Sequence, residues 1–419
     1  MRAGDFFLRM IAITSICVLQ GIGPLSAEQP WPNWRGPFGD GRALDGNYPI
    51  RWTESEKIAW RLDLPDRGAS TPVVAGDRIL TTAGRDGKNL LQSISLEGKI
   101  LWTVELGEEV AGKHAKASGA NSSPVTDGER VVAYFKSGDL ACCNLQGKIL
   151  WQDNLQKRFG EDSLWWDLGT SPILVDGLVV VAVMQTGPSY LVAYDLETGQ
   201  VRWKTDRMME SIEESHQAYT TPVVARIEGT TTIITLGADH ATAHRAADGK
   251  LLWSQGGFNP GKEQYFRTIA SPVLAGDLVL CPYARGATLT ALRTSGEDGG
   301  RQAWRLDLGA DVPTPAVTGN RVYLCSDKGL VSCLEAATGK ILWQEALPKS
   351  RHDFSSSPVI AGDHVYLTRE DGTTFVIRHA DSFDLVATNP VDSATVATPV
   401  FAHGRIFLRT YDAILCIAP

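Results

Sequence analysis

Eight proline steps divide the chain at near-regular intervals, and this spacing constrains the fold more than any other feature. Each is a Ser/Thr/Ala-(Ser/Thr)-Pro sequence, or a close relative, that opens a short apolar run: Pro72, Pro124, Pro172, Pro222, Pro272, Pro315, Pro358 and Pro399. Their separations are 52, 48, 50, 50, 43, 43 and 41 residues. Seven tryptophans alternate with them: Trp60, Trp102, Trp151, Trp203, Trp253, Trp304 and Trp343. A period in that range marks a repeat architecture. A closed array of such units can use a chain of 419 residues as one domain.

The second unit shows the parts. Ser122-Ser123-Pro124-Val125 is followed by Asp127-Gly128-Glu129-Arg130, an apolar run to Phe135, a turn at Gly138, Leu140 to Cys143, and Gln146-Gly147-Lys148-Ile149-Leu150-Trp151. Short β-rich runs bounded by Gly and Asp turns, about ten residues apart, predict four strands per unit. Proline is tolerated at the start of the first strand, where its missing N–H need not pair. The Gly-Lys-X-X-Trp step predicts a hairpin into the outer strand, with the Trp rings packed between neighbouring units. The last unit stops after Ala413 to Ile417 with three strands and no Trp strand, and the segment Ile58 to Leu64 around Trp60 supplies the fourth. The expected fold is therefore an all-β, eight-bladed β-propeller closed by its N-terminal strand, which leaves no open sheet edge at the array's ends. The seventh unit has Phe383-Asp384-Leu385 where a Trp is expected, predicting a weaker contact there.

Arg2 and Arg9, the apolar stretch Met10 to Leu19 and the small-residue site Leu25-Ser26-Ala27 predict a secretory leader over residues 1–27. An extension over 28–56 and the propeller over 57–419 follow. The leader's apolar stretch is too short to span a bilayer, and no later segment approaches that length. The expected location is extracytoplasmic, periplasmic or secreted. Without Arg2, Arg9 and Asp5 the 40 basic and 48 acidic side chains become 38 and 47, a net charge of −9. That sign argues against nucleic acid or anionic membrane as the main partner. Six cysteines remain beyond Cys17, most of them in apolar strand patterns, and read as buried thiols.

The repeated residues, most sharply Ala193 to Trp203, resemble the pyrroloquinoline quinone (PQQ) repeat, and the resemblance covers residues 57–419. One branch of PQQ-like propellers holds PQQ and Ca²⁺ in the axial funnel as quinoprotein dehydrogenases. Another, similar to the outer-membrane assembly-factor B lipoproteins, is non-catalytic and binds partner proteins. The opening Trp31-Pro32-Asn33-Trp34-Arg35-Gly36-Pro37 resembles the start of secreted PQQ-like proteins. A shared fold does not decide between these functions. The dehydrogenase branch implies a loop disulfide between adjacent cysteines against the quinone, yet Cys142-Cys143 falls inside a strand pattern, where neighbours point to opposite faces. A Ca²⁺ site needs a converging carboxylate and amide; Asn121 and Asp167 precede first strands without further partners.

The loops into blades 2–5 are the long ones, with Trp-to-Pro distances of 22, 21, 19 and 19 residues against 12, 11 and 15 elsewhere. They carry His114, Asn121, Trp166, Asp167, His216, Gln217, Tyr219 and Arg267 among paired aromatics, and are the expected ligand-binding wall. Turns between second and third strands add Arg85, Lys136, Arg285, Lys328, Arg369 and Arg409, an expected cation ring that would focus anions. The leading expectation is a non-catalytic propeller without cofactor, binding a protein partner or a small anionic or carbohydrate ligand at its loop face. A PQQ- and Ca²⁺-dependent oxidoreductase acting on an alcohol or sugar, and a structural scaffold of a cell-envelope complex, are the alternatives.

Overall fold

The computed structural model describes residues 31–64, 67–297 and 299–419, so the expected leader lies outside the described residues. Eight four-stranded antiparallel sheets form the ring. Blade 3 is representative, with strands Ile173–Val175, Leu178–Val183, Tyr190–Asp195 and Val201–Asp206 from the axis outward. The row Ile173, Val180, Ala193 and Trp203 pairs across it strand by strand. That row packs in one buried cluster, while the alternate residues Val179, Val181, Val192 and Tyr194 pack in another. Both faces are covered, which is why these strands read as continuous apolar runs rather than alternating ones.

The ring closes as expected. Ile58–Asp63 is the outer strand of blade 8 and pairs antiparallel with Ala413–Ile417, Trp60 opposite Cys416 and Asp63 opposite Ala413.

Seven of the eight seams share one device. The indole N–H of each repeat Trp donates to a carbonyl of the following blade: Trp60 to Leu96, Trp102 to Leu145, Trp151 to Leu196, Trp203 to Ala246, Trp253 to Thr294, Trp304 to Ala336 and Trp343 to Ala380, at 2.8–3.2 Å. A bulge just before the Trp position recurs in the outer strands, as between the pairs Cys142–Trp151 and Cys143–Ile149. A bulge twists a strand locally and re-aims the next side chain, here towards the neighbouring blade. The glycine of the following blade's hairpin then lies against the indole. A Cβ on Gly199 would stand 2.5 Å from Trp151, and one on Gly147 would stand 2.9 Å from Trp102.

The seam from blade 7 to blade 8 departs from the expectation. The bulge in blade 7 falls between the pairs Val376–Ala387 and Ile377–Leu385, so Ala387, not Phe383, occupies the Trp position. Phe383 instead packs edge-on against Trp343, with centroids 5.4 Å apart.

Residues 31–56 form a strap that serves this seam. Trp52 and Tyr48 are buried in the same cluster as Ala387 and Phe401. The Asn389 side chain accepts from the Trp52 N–H at 3.1 Å and donates to the Ile50 carbonyl at 2.9 Å. Earlier in the strap, Trp31 exchanges main-chain hydrogen bonds with Val74, and the Thr126 N–H donates to Pro32. Farther along, the Val317 and Ile360 N–H groups donate to Asp40 and Gly41. These partners belong to the innermost strands of blades 1, 2, 6 and 7. Arg35, 3% exposed, donates to the carbonyls of Pro315 and Pro358 at 2.7 and 3.1 Å. The strap therefore fills the axial channel from one side.

Candidate functional site

The residue before each proline builds the base of the site. The N–H of Thr71 donates to the hydroxyl of Ser123, Ser123 to Ser171, Ser171 to Thr221, Thr221 to Ser271, Ser271 to Thr314, Thr314 to Ser357, Ser357 to Thr398 and Thr398 back to Thr71, at 2.8–3.1 Å. Eight blades are thus joined by a closed belt of eight hydroxyls, and every member lines one cavity. That cavity is a funnel of about 970 Å³. Trp34 of the strap also lines it.

Above the belt a chain of contacts runs around the wall from blade 2 to blade 6. The His114 ring meets Trp166 edge-on at 5.8 Å. The Trp166 indole N–H donates to Glu214 at 2.9 Å, and its backbone N–H donates to the Tyr219 hydroxyl at 3.3 Å. Arg267 lies 3.9 Å from Glu214 and 3.1 Å from Asp311. Asp327 accepts the N–H groups of Asp311 and Val312 at 2.8 and 3.1 Å. Burial pushes the Asp311 carboxyl above its usual range, with Arg267 opposing. Burial likewise raises Asp327, against three backbone donors. The loop into blade 2 reaches as far as blade 7, where Lys116 pairs with Glu370 at 2.8 Å.

Of the wall residues expected from the sequence, His114, Asn121, Trp166, Asp167, Tyr219, Arg267 and Arg285 line the funnel, and Lys136, His216, Gln217 and Arg369 do not. Lys136 and Asp167 form a buried ion pair at 2.6 Å, each side chain 2% exposed. Asp167 also accepts the N–H groups of Lys113 and His114. Burial raises its carboxyl, but Lys136 and those N–H groups outweigh burial and hold it below the usual value. Gln217 is fully buried, accepting from the Trp165 N–H and donating to Thr186. His216 meets the Ser211 hydroxyl through Nδ1 at 2.7 Å. Arg369 pairs with Asp371 at 2.8 Å over the Phe375 ring.

Four of the six cations of the expected ring face carboxylates. Besides Lys136 and Arg369, Lys328 is held by Asp353 and Arg85 lies 3.8 Å from Asp86. Arg409 is fully buried, donating to Ser70, Thr81 and Thr82. Arg285 does face the funnel, in a left-handed conformation with φ of 53°. Sequence reasoning missed Trp34, Glu214, Asp311, Asp327 and the inward role of the belt. The belt's signal was present as the recurring Ser/Thr before proline. The others lacked one, because their neighbours are remote in sequence.

The residues that the sequence offered for PQQ and Ca²⁺ are engaged elsewhere. Cys142 and Cys143 are buried free thiols in different core clusters, away from the funnel. Burial pushes them up to about 12 and about 11. The Asn121 oxygen is already taken by the Ser118 N–H and hydroxyl, and Asp167 by Lys136. Among the described residues no group of three or more His, Cys, Asp or Glu is placed to hold a metal ion.

Residues 46–225, 166–298 and 293–385 match the family model described as outer membrane protein assembly factor BamB. Two relatives carry that name. The Yersinia pestis protein is 24% identical over 235 residues, 55% of this chain and 52% of the relative, so that match spans about half of the relative's length. The Burkholderia pseudomallei protein is 23% identical over 370 residues, 83% of each. Among solved structures, BamB from Moraxella catarrhalis gives a TM-score of 0.62 at 16% identity, covering 85% of this chain and 98% of that one. Quinohemoprotein alcohol dehydrogenase from Comamonas testosteroni gives 0.67 at 13% identity, covering 92% and 80%. These two likenesses show the fold alone.

Proposed function

The chain belongs to the BamB family of PQQ-like propellers, and from that premise we propose that it is a non-catalytic binding propeller outside the cytoplasm. It engages a protein partner in the assembly of outer-membrane proteins, through the rim of its loop face. The observation that carries this reading is the rim itself. Four consecutive long loops each hold a large apolar side chain out to solvent: Val110 46% exposed, Trp165 44%, Met208 62% and Tyr265 57%. Four such residues on one raised wall, in an otherwise acidic protein, have the composition of a protein-binding patch with aromatic anchors. Beneath the wall, Asp167, held by Lys136, accepts the His114 N–H and Gln217 accepts the Trp165 N–H.

The test is photo-crosslinking in the native envelope, with the reactive group at Met208 or Val110 and, as control, at Asp277 in the turn after the inner strand of blade 5. Adducts with outer-membrane assembly components from the two rim positions, absent from Asp277, are expected. A deletion strain is expected to hold less folded outer-membrane protein. Equal labelling at all three positions together with an unchanged outer-membrane protein profile would overturn the reading. Intact mass is expected to place the mature N-terminus at Glu28.

A further inference from the structure

The geometry points to a second site beneath the rim: the blind funnel is built to take a neutral, hydroxyl-rich oligosaccharide. This inference does not depend on the protein-partner reading: the belt lies inside the funnel, and Val110 and Met208 of the rim do not line it.

Three independent features converge. The first is the belt. A hydroxyl has one donor proton and two acceptor lone pairs. Each belt hydroxyl accepts one main-chain N–H, and none donates to another described residue. All eight residues are 6% exposed or less. Eight buried donors around one axis call for acceptor oxygens, because buried polar groups are costly when unpaired. The second is the set of aromatic planes. Trp166 and Tyr265 present exposed rings on the wall and Trp34 lines the funnel below them. The Trp166 plane is fixed by its bond to Glu214 and by the edge of His114. Such rings suit the C–H faces of a sugar. The third is charge balance. Lys116 faces Glu370, Arg267 faces Asp311 and Lys328 faces Asp353. Of the remaining lining charges, Arg285 stands against the two carboxylates of Glu214 and Asp327, a slight acidic excess that disfavours an anion. The funnel therefore offers fixed donors and acceptors without a strong net field, which favours a neutral ligand over an ionised one.

Two further observations narrow the class. At about 970 Å³ the funnel lies near the top of the ~300–1,000 Å³ range of ligand pockets, room for more than one sugar ring. An extended peptide at the axis would need free main-chain edges on the inner strands. The strap already occupies edges in blades 1, 2, 6 and 7.

The experiment titrates the full mature chain with cellopentaose, xylopentaose, mannopentaose and chitopentaose, read by calorimetry and by tryptophan fluorescence. At least one is expected to bind at millimolar or lower concentration with a fluorescence change. Trp166→Ala and, separately, Tyr265→Ala should each weaken binding roughly tenfold or more, as loss of an aromatic contact does. Asp277→Ala, in the turn after the inner strand of blade 5, should leave it unchanged. Unchanged circular dichroism keeps the variants interpretable. No heat and no fluorescence change with all four sugars overturns the proposal. So does binding that survives both aromatic substitutions. Neither outcome bears on crosslinking from Met208, so the two readings fail separately.

Discussion

Lys136 and Asp167 face each other 2.6 Å apart with side chains 2% exposed, and together they hold the loops into blades 2 and 3. Removing one partner of a buried pair leaves an uncompensated charge, which typically costs 3–5 kcal/mol. Lys136→Met is therefore expected to lower stability by about that amount at neutral pH. The pH dependence follows from the direction of the shift. Asp167 is held below its ordinary value of 3.8, so its contribution is present above that value and lost as pH falls through the lower folded-state value. In Lys136→Met the carboxylate keeps the Lys113 and His114 N–H donors but loses the ammonium, so it is protonated more readily than in the parent, which relieves part of the penalty. The gap between variant and parent should be widest at pH 7 and shrink below pH ~4. Denaturant melts at both values check this; a gap that stays constant with pH would show that lost packing, not the charge, is responsible. Gly147 offers a different residue-scale test. Its φ is +83°, and a Cβ there would stand 2.9 Å from the Trp102 ring. Gly147→Ala combines a left-handed penalty of ~1–2 kcal/mol with overpacking of ~1–3 kcal/mol, and should lower Tm by several degrees.

At the level of elements, the strap does work that the repeats leave undone. Seven seams carry a Trp whose indole reaches the next blade, and the eighth has Ala387 with Trp52 in the same cluster. The substitution is incomplete, because the Trp52 indole nitrogen has no hydrogen-bond partner among the described residues. Trp52→Ala is expected to cost about 3–5 kcal/mol, as truncation of a buried aromatic does. Trp52→Phe, which keeps most of the apolar volume and has no N–H to satisfy, should cost far less. The same swap at Trp203, whose N–H is bonded, leaves the Ala246 carbonyl unpaired and should cost more than at Trp52. Thermal melts of the three variants decide it, and equal Phe costs at both sites would refute the distinction. This seam also shows where sequence reading stops. Blade count, closure and the strand order inside each blade were legible, because Pro and Trp recur at positions set by backbone geometry. The missing Trp was legible too, but its place was not: the hairpin before it is longer than in blade 2, Ile377 pairing with Leu385 where Cys143 pairs with Ile149, so the equivalent position is Ala387 rather than Phe383. The funnel was half legible. Long loops announce themselves by length, whereas Lys136 meets Asp167 across 31 residues and Lys116 meets Glu370 across 254. Of the charges that looked like a ring on the sequence, four face carboxylates, Arg409 is buried among hydroxyls and a carbonyl, and Arg285 faces the funnel.

For the whole molecule, the belt and the strand from Ile58 to Asp63 turn a linear repeat into a ring. In an open array each repeat contacts only its neighbours, and end repeats fray. Here blade 8, which contains both ends of the propeller, is stapled twice. Its inner strand is tied by the Thr398–Thr71 hydrogen bond and its outer strand by Trp60 against blade 1. Protection from hydrogen exchange should therefore be as high for Ala413–Ile417 as for Tyr190–Asp195 in blade 3, although one strand adjoins a terminus and the other lies far from one. A chain beginning at Gly68 lacks both the strap and the closing strand. It bares the edge of Ala413–Ile417, five residues that are all buried in the intact protein. An apolar edge of that kind pairs with whatever strand it meets. The truncated chain is expected to lose protection first in blade 8, then at the seams on either side, and to self-associate with rising concentration. Exchange measured by mass spectrometry and size-exclusion chromatography would read the two effects. A truncated chain that stays monomeric with blade 8 fully protected would mean that the belt alone closes the ring.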